Sequence, residues 1–427
     1  MSRQEVVSAW EETVSRELPQ LSRPQARVLA LWSLGIALAQ RCGQTSVAVT
    51  LAALLGVREG SMRQRLREWC YAAADKRGAK RRTLAVESCF TPLLGWVLRW
   101  WTPDTPTAPT APTAPTAPTA PTAPNIVNTS AQRLALALDA TTLGTRFTVL
   151  ALCVVYRSSA IPVAWVVVRA ATPGAWRPHW ERLLAQMAAS VPPAWMVLVV
   201  ADRGLYAPWL FDAITALGWH PGLRLNGGAG ARGLYRPVAG GGWRPLRSLL
   251  PQPGAAWCGR VYCFREQTVS GTLLARWDAG YAEGWLVLTD LPPACADVAW
   301  YGLRAWVEGG FKDLKRDGWQ WADRQRTRMC DPERAARLWL ALAVATLWML
   351  SVGGAAEDAL PPSQRAALPA RQIAHRTATG RSTPRVLSCF RRGIFTLLAA
   401  ALTSRSLPTA HFVSEPWPTS LHPKTYP

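Results

Sequence analysis

Apolar positions recur along this chain with two periods, and the change from one to the other divides it. Over residues 26–39 they return every three to four positions behind Pro24, which predicts a helix opened by proline. A second run, 46–55, stops at Gly56 and is followed by the arginine-studded segment 61–69. Helix, glycine turn and basic helix is the outline of a helix-turn-helix. Beyond residue 131 the runs shorten and become β-rich. Residues 133–139 end in Asp139, 147–156 and 163–168 predict two further strands, and 178–189 predicts a helix. Residues 196–201 are wholly apolar, as in a buried strand, and lead into Asp202-Arg203-Gly204. The glycine-rich stretch 223–290 holds more strand-like pieces, and 338–352 predicts a buried helix, short for a bilayer span.

The segment 301–315, YGLRAWVEGGFKDLK, is amphipathic at helical spacing. At 100° per residue, Tyr301, Arg304, Glu308 and Lys315 fall at about 0°, −60°, −20° and −40°, with Lys312 near +20°. Leu303, Trp306, Val307 and Leu314 take the opposite, core-facing side. Two features set this stripe apart from an ordinary solvated face. Gly309-Gly310 sits inside the helix, where each Gly costs about 1 kcal/mol relative to Ala, so something must approach the backbone closely. Of 48 Lys and Arg only five are Lys, and two of those are Lys312 and Lys315. A compact ammonium in an arginine-rich chain suggests a specific use.

Composition narrows the partner. A net charge of +21 over 427 residues, with pI near 10.5, points to a polyanion, most simply nucleic acid. Residues 1–101 share in this, with 15 Lys and Arg against 8 Asp and Glu. Nine Cys without a CxxC pair argue against structural zinc and a disulfide framework. The opening residues lack an apolar signal core, so a soluble cytoplasmic protein without a membrane partner is expected. Residues 107–124 repeat Thr-Ala-Pro six times, which favours an extended spacer of roughly 55 Å at about 3.1 Å per residue.

The order Y-x2-R-x3-E-x6-K in 301–315 resembles the YREK motif of bacterial DDE transposases of the IS-four type, which cut and paste insertion sequences. The resemblance implies that Glu308 is the third metal-binding carboxylate and that Tyr301, Arg304 and Lys315 contact phosphates at the transposon end. It also implies double-stranded DNA as substrate, both element ends and target, and a homodimer on paired ends.

Such an enzyme needs two upstream Asp residues at strand ends, and Asp139 and Asp202 stand there in the right order. The order β-β-β-α-β-α is that of an RNase H-like sheet, and ligands of open α/β sheets collect at strand ends. Phosphodiester hydrolysis or transesterification calls for two divalent ions about 3.5–4 Å apart, one at the nucleophile and one at the leaving oxygen. Carboxylate oxygens suit Mg²⁺, with Mn²⁺ as substitute. Asp139 would bridge both ions, and Asp202 and Glu308 would hold one each. Five His without an HxH pair argue against histidine-based nicking.

The expected architecture is therefore α/β. A helical DNA-binding domain (1–101) and a Thr-Ala-Pro linker (102–130) precede an RNase H-like catalytic core (131–222 and 291–355). A β-rich insertion domain (223–290) interrupts that core, and a basic C-terminal region (356–427) follows it. By resemblance the insertion holds DNA near the active site, with Trp243, Trp257, Trp277 and Trp285 as candidates to stack on an unpaired base. Arg63, Arg67, Arg203 and Lys312 join the expected DNA contacts. Two other readings share these residues: a catalytically silent DNA-binding descendant, and a metal-dependent nuclease without strand transfer.

Overall fold

The computed structural model describes residues 3–76, 82–102, 132–172, 174, 176–228, 233–322, 329–368 and 387–419. The Thr-Ala-Pro repeat lies outside them. Five helices come first: α1 (Arg3–Glu17), α2 (Arg23–Ala39), α3 (Gln44–Leu55), α4 (Glu59–Trp69) and α5 (Phe90–Arg99). Pro24 lies in the first turn of α2, and Gly56, at φ 65°, ends α3 in the left-handed region that glycine tolerates. The arginine-studded helix α4 begins two residues earlier than the pattern suggests, at Glu59.

Short strand β1 (Trp101–Thr102) follows, then β2 (Arg133–Leu143), β3 (Phe147–Tyr156), β4 (Ser159–Arg169), α6 (Arg177–Ala188), β5 (Met196–Ala201), α7 (Pro208–Thr215) and β6 (His220–Arg224). Next come β7 (Leu234–Pro237), β8 (Arg244–Pro245), β9 (Ala256–Cys263), β10 (Val269–Arg276) and β11 (Trp285–Thr289). The chain closes with α8 (Ala305–Lys312), α9 (Pro332–Asp358), α10 (Pro362–Ala366), α11 (Cys389–Leu402) and β12 (Phe412–Val413), which pairs in parallel with β1.

Ten strands form one mixed sheet in the order β4-β3-β2-β5-β6-β11-β10-β9-β7-β8. The first three make an antiparallel meander, and β5 and β6 run parallel to β2. All ten residues of β3 are buried, which is why its sequence is continuously apolar rather than alternating. The strands of the segment expected as an insertion, 223–290, continue this same sheet. β11 pairs antiparallel with the end of β6, and β10, β9, β7 and β8 follow outward from it.

Helix α9 organises the interior. Asp331 caps it by accepting from the Arg334 N–H at 2.8 Å, and Pro332 supplies the first turn. At 27 residues it is longer than the apolar run 338–352 suggests. It is long and apolar enough to cross a membrane, yet 94% of its apolar window is buried inside the fold. The N-terminal helices share that interior. Trp10 stacks on Trp348 at 3.8 Å, and the buried Arg337 donates to the carbonyls of Cys70 and Leu84 at 2.6 and 3.3 Å.

The β3–β4 turn is the tightest feature of the sheet. Arg157 and Ser158 both have positive φ, 46° and 67°, in a two-residue hairpin where Asn-Gly is the usual choice. Non-glycine residues persist there because the surroundings hold them. The Arg157 guanidinium is 3% exposed and pairs with Glu357 at 3.4 Å, Asp358 at 2.7 Å and Glu415 at 3.5 Å. These are the three acids of residues 357–427, so this one arginine gathers all the carboxylates of the C-terminal region, which is also held by β12 on β1 and by the Trp348 indole donating to the Pro408 carbonyl at 2.8 Å.

Candidate active site

Strand lengths place the first two acids. Leu138, Ala201 and Leu223 are register partners across β2, β5 and β6, and both β5 and its pairing with β2 end at Ala201. The next residues along the three parallel strands are Asp139, Asp202 and Arg224. The expectation that β2 ends at Asp139 is corrected here: β2 runs on to Leu143, held by β3, and Asp139 lies mid-strand. It is the end of β5 that uncovers it.

The third acid comes from a segment of changing geometry. The single α-helix expected over 301–315 is replaced by a 3₁₀ stretch (Val298–Arg304), the α-helical α8 and a π-helical turn (Asp313–Asp317). Asp297 starts it by accepting from the Ala299 N–H at 2.9 Å. Residues per turn change twice, yet Tyr301, Arg304, Glu308 and Lys312 still line one cleft. Tyr301 turns inward, 5% exposed, edge-on to Trp285 at 5.2 Å. The π turn carries Lys315 to β2, where its ammonium donates to the Thr142 carbonyl at 3.2 Å. Lys312 stays exposed and pairs with Asp317 at 3.1 Å.

Gly309 and Gly310 set how closely α8 lies on the sheet. A Cβ on Gly309 would overlap the Ser158 carbonyl oxygen, and one on Gly310 would come within 2.7 Å of the Ala160 nitrogen. The close approach implied by the paired glycines is thus made by the protein's own β3–β4 hairpin. It seats Glu308 opposite the two aspartates.

All three acids meet on Arg304. Its Nη2 lies 3.0 Å from Asp139 Oδ2 and 3.4 Å from Asp202 Oδ2, while Nη1 pairs with Glu308 one helical turn on. Burial lifts Asp139 to about 6, opposed by Arg304 and by the Ala140 N–H, and helped by the negative charge of Asp202 and Glu308. Asp202 also accepts from the Gly204 N–H at 2.8 Å, which fixes the turn after β5. Burial raises the Tyr301 phenol to about 12, against the pull of Arg304 and Arg224. Lys315 is pulled down, first by burial and then by Arg316, with Asp139 acting the other way.

Beside Glu308 opens a cleft of about 760 Å³ lined by Arg203, Arg224, Trp285, Tyr301 and Lys312 among others. Glu283 pairs with Arg203 at 2.9 Å and Arg224 at 2.8 Å across its wall. Arg224 and Glu283 have no signal in the sequence, since one is a lone cation at a strand end and the other a lone acid in a loop. Of the four tryptophans proposed for base stacking, Trp285 lines this cleft. Trp277 is tied to the Tyr281 carbonyl at 2.9 Å, Trp257 packs on Tyr235, and Trp243 lies under Arg236. Arg63 and Arg67 on α4 open into a different groove.

A sequence model of the transposase DDE domain matches residues 130–348, just over half of the chain, and spans β2, β5 and α8. The chain belongs to the DDE transposase family. No curated protein matches it. Family membership makes DNA the substrate, and this transposase domain contains all three acids, Arg304 and Lys315.

Proposed function

We propose that this transposase cleaves the ends of an insertion sequence and joins them to target DNA by two-metal-ion chemistry, with Asp139, Asp202 and Glu308 as ligands. The observation that carries the reading is the convergence of these three carboxylates, from three separate elements, on the single cation Arg304. The meander β4-β3-β2 with β5 and β6 parallel to β2 supports an RNase H-like core. The Y-R-E-K spacing supports the IS-four type, and with it a cytoplasmic protein acting as a homodimer on paired ends.

The donor set fits a hard divalent cation, because all three groups offer carboxylate oxygen. Among the described residues, no three acidic side chains stand close enough to share one ion as they are, and the Arg304 guanidinium occupies the space between them. Bound Mg²⁺ would supply Lewis acidity toward the phosphate oxygens and lower the pKa of the attacking water or 3′-hydroxyl. The chain's own groups do the positioning. Lys315, braced on Thr142, presents its ammonium beside Asp139, and Arg203, Arg224 and Lys312 make the cleft attractive to phosphate. Arg304 serves twice, as counter-ion to the acids without DNA and as phosphate contact with it.

Arg304→Ala therefore has opposite effects on two ligands. Mn²⁺ binding to the DNA-free protein, followed by electron paramagnetic resonance, should tighten by about tenfold or more, since a unit charge about 4 Å away is worth up to about 4 kcal/mol at an effective dielectric of 20. End-DNA affinity should fall. Unchanged Mn²⁺ affinity would show that Arg304 does not compete for the cation position.

The function itself is tested with the full chain, Mg²⁺ and a duplex carrying the inverted repeat that flanks its gene. Cleavage at the repeat with transfer of the 3′-end into a second duplex is expected. Cleavage without a joined product would favour the nuclease reading, and binding without cleavage the silent descendant.

A further inference from the structure

A hollow larger than the cleft at the acids lies elsewhere. A groove of about 1150 Å³ runs between the N-terminal helices and the edge of the catalytic core. Arg41 just past α2, Arg63 and Arg67 on α4, and Arg169 at the end of β4 all line it. Three of the four are exposed and Arg41 is half-buried, and none has an ion-pair partner among the described residues. A fifth, Arg334 on α9, stacks over Tyr71 at 4.3 Å and pairs with Asp75 at 3.2 Å. Among the described residues the only acid on the lining is Asp331, whose carboxylate is engaged in capping α9.

We propose that this groove seats the phosphate backbone of duplex DNA, clamped between the N-terminal helices and the catalytic core by Arg41, Arg63, Arg67 and Arg169. The proposal rests on the DNA reading above and extends it to core residues outside the acid cluster. Four cations drawn from three distant parts of the chain into one hollow repel one another until a polyanion fills it. The first turn of α3 (Gln44, Thr45 and Ser46) lines the same groove, and Gly43 supplies no side-chain cap, so that turn's N–H groups add to the positive field. At about 1150 Å³ and lined by five arginines, the groove lies outside the range of small-ligand pockets, which run to about 1,000 Å³ and are mostly apolar. Its position suits the same duplex that reaches the acids. Arg169 pairs with Phe147, and Phe147 with Leu143, four residues along β2 from Asp139. That is about 13 Å along the strand, and the two strand spacings from β2 to β4 add about 10 Å sideways, so Arg169 stands roughly 16 Å from Asp139, about five base pairs of duplex at 3.4 Å each.

The test measures binding of the full chain to an inverted-repeat duplex and to a shuffled duplex over a range of KCl by fluorescence anisotropy. Arg63→Gln/Arg67→Gln and Arg41→Gln/Arg169→Gln should each lower the salt slope by about 1.8, at about 0.9 per lost phosphate contact, on both duplexes alike. Arg63→Lys/Arg67→Lys should keep the parental slope, which separates lost charge from a disturbed fold, and melting curves should match throughout. Parental slopes in both Gln pairs would overturn the groove while leaving the transposase reading intact. A loss confined to the inverted repeat would make these arginines base readers and overturn the backbone role, as would binding of an acidic protein in place of DNA. Failure of the parent itself to bind either duplex would instead sink the DNA reading beneath it.

Discussion

Asp139→Asn, Asp202→Asn and Glu308→Gln should each lower Mg²⁺-dependent cleavage by at least about 100-fold, or about 2.7 kcal/mol of barrier at 1.36 kcal/mol per factor of ten. Each change removes a charge and keeps nearly all the bulk, so the register of β2, β5 and α8 should survive. End binding should change little or rise slightly, because every variant removes negative charge from beside the phosphate. The three sites differ in what else they hold. Asp139 is mostly buried beside Arg304, so its amide also releases that guanidinium, whereas Glu308 is 64% exposed and contributes little to folding. Cleavage and gel-shift affinity measured on the same end fragment check this. Full cleavage by any one variant would remove that residue from the ligand set, and loss of binding with loss of cleavage would point to a folding defect instead.

Arg157→Met should lower stability by about 3–5 kcal/mol, because it leaves Glu357 buried at 1% exposure without its countercharge. A melting temperature lower by about 3–6 °C is expected from that loss, at about 2.1 cal/mol/K of unfolding entropy per residue over 427 residues. The effect should reach the site, since the Arg157–Ser158 turn supports the backbone of Gly309 beside Glu308. Arg157→Met/Glu357→Leu should recover part of the loss, as replacing both buried charges by apolar groups is far milder than removing one. An unchanged melting temperature in the single variant would show that the three acids are satisfied without the arginine. Equal losses in the single and double variants would assign the damage to the positive-φ turn rather than to the stranded charge.

Much of the site was legible because its chemistry is local in sequence. Asp139 and Asp202 each end an apolar run, and Tyr301, Arg304, Glu308 and Lys315 share one short segment. The inferred role of Gly309-Gly310 also survived, although the backbone that crowds them belongs to the protein itself. Tyr301 is buried against Trp285 at the cleft rather than exposed on a helix face, because a helical projection assumes one pitch and the segment uses three. Lys312, one turn from Glu308 within α8, shares the same cleft. Arg224 and Glu283 were invisible, since pairing across a cleft links positions with no common period.

What the sequence determined by itself is the set of short-range facts: apolar period sets element type, proline and glycine set element ends, and residues 130–348 carry the DDE transposase family. The +21 charge likewise named a polyanion before any coordinates. Tertiary structure decided which groups meet. Ending β5 at Ala201 while β2 runs on brings Asp139 beside Asp202, the Arg157 turn gathers the C-terminal acids, and packing α9 against the N-terminal helices creates the arginine groove. Each of these depends on register and on contacts between residues far apart in the chain, where the energy comes from burial and charge pairing rather than local propensity.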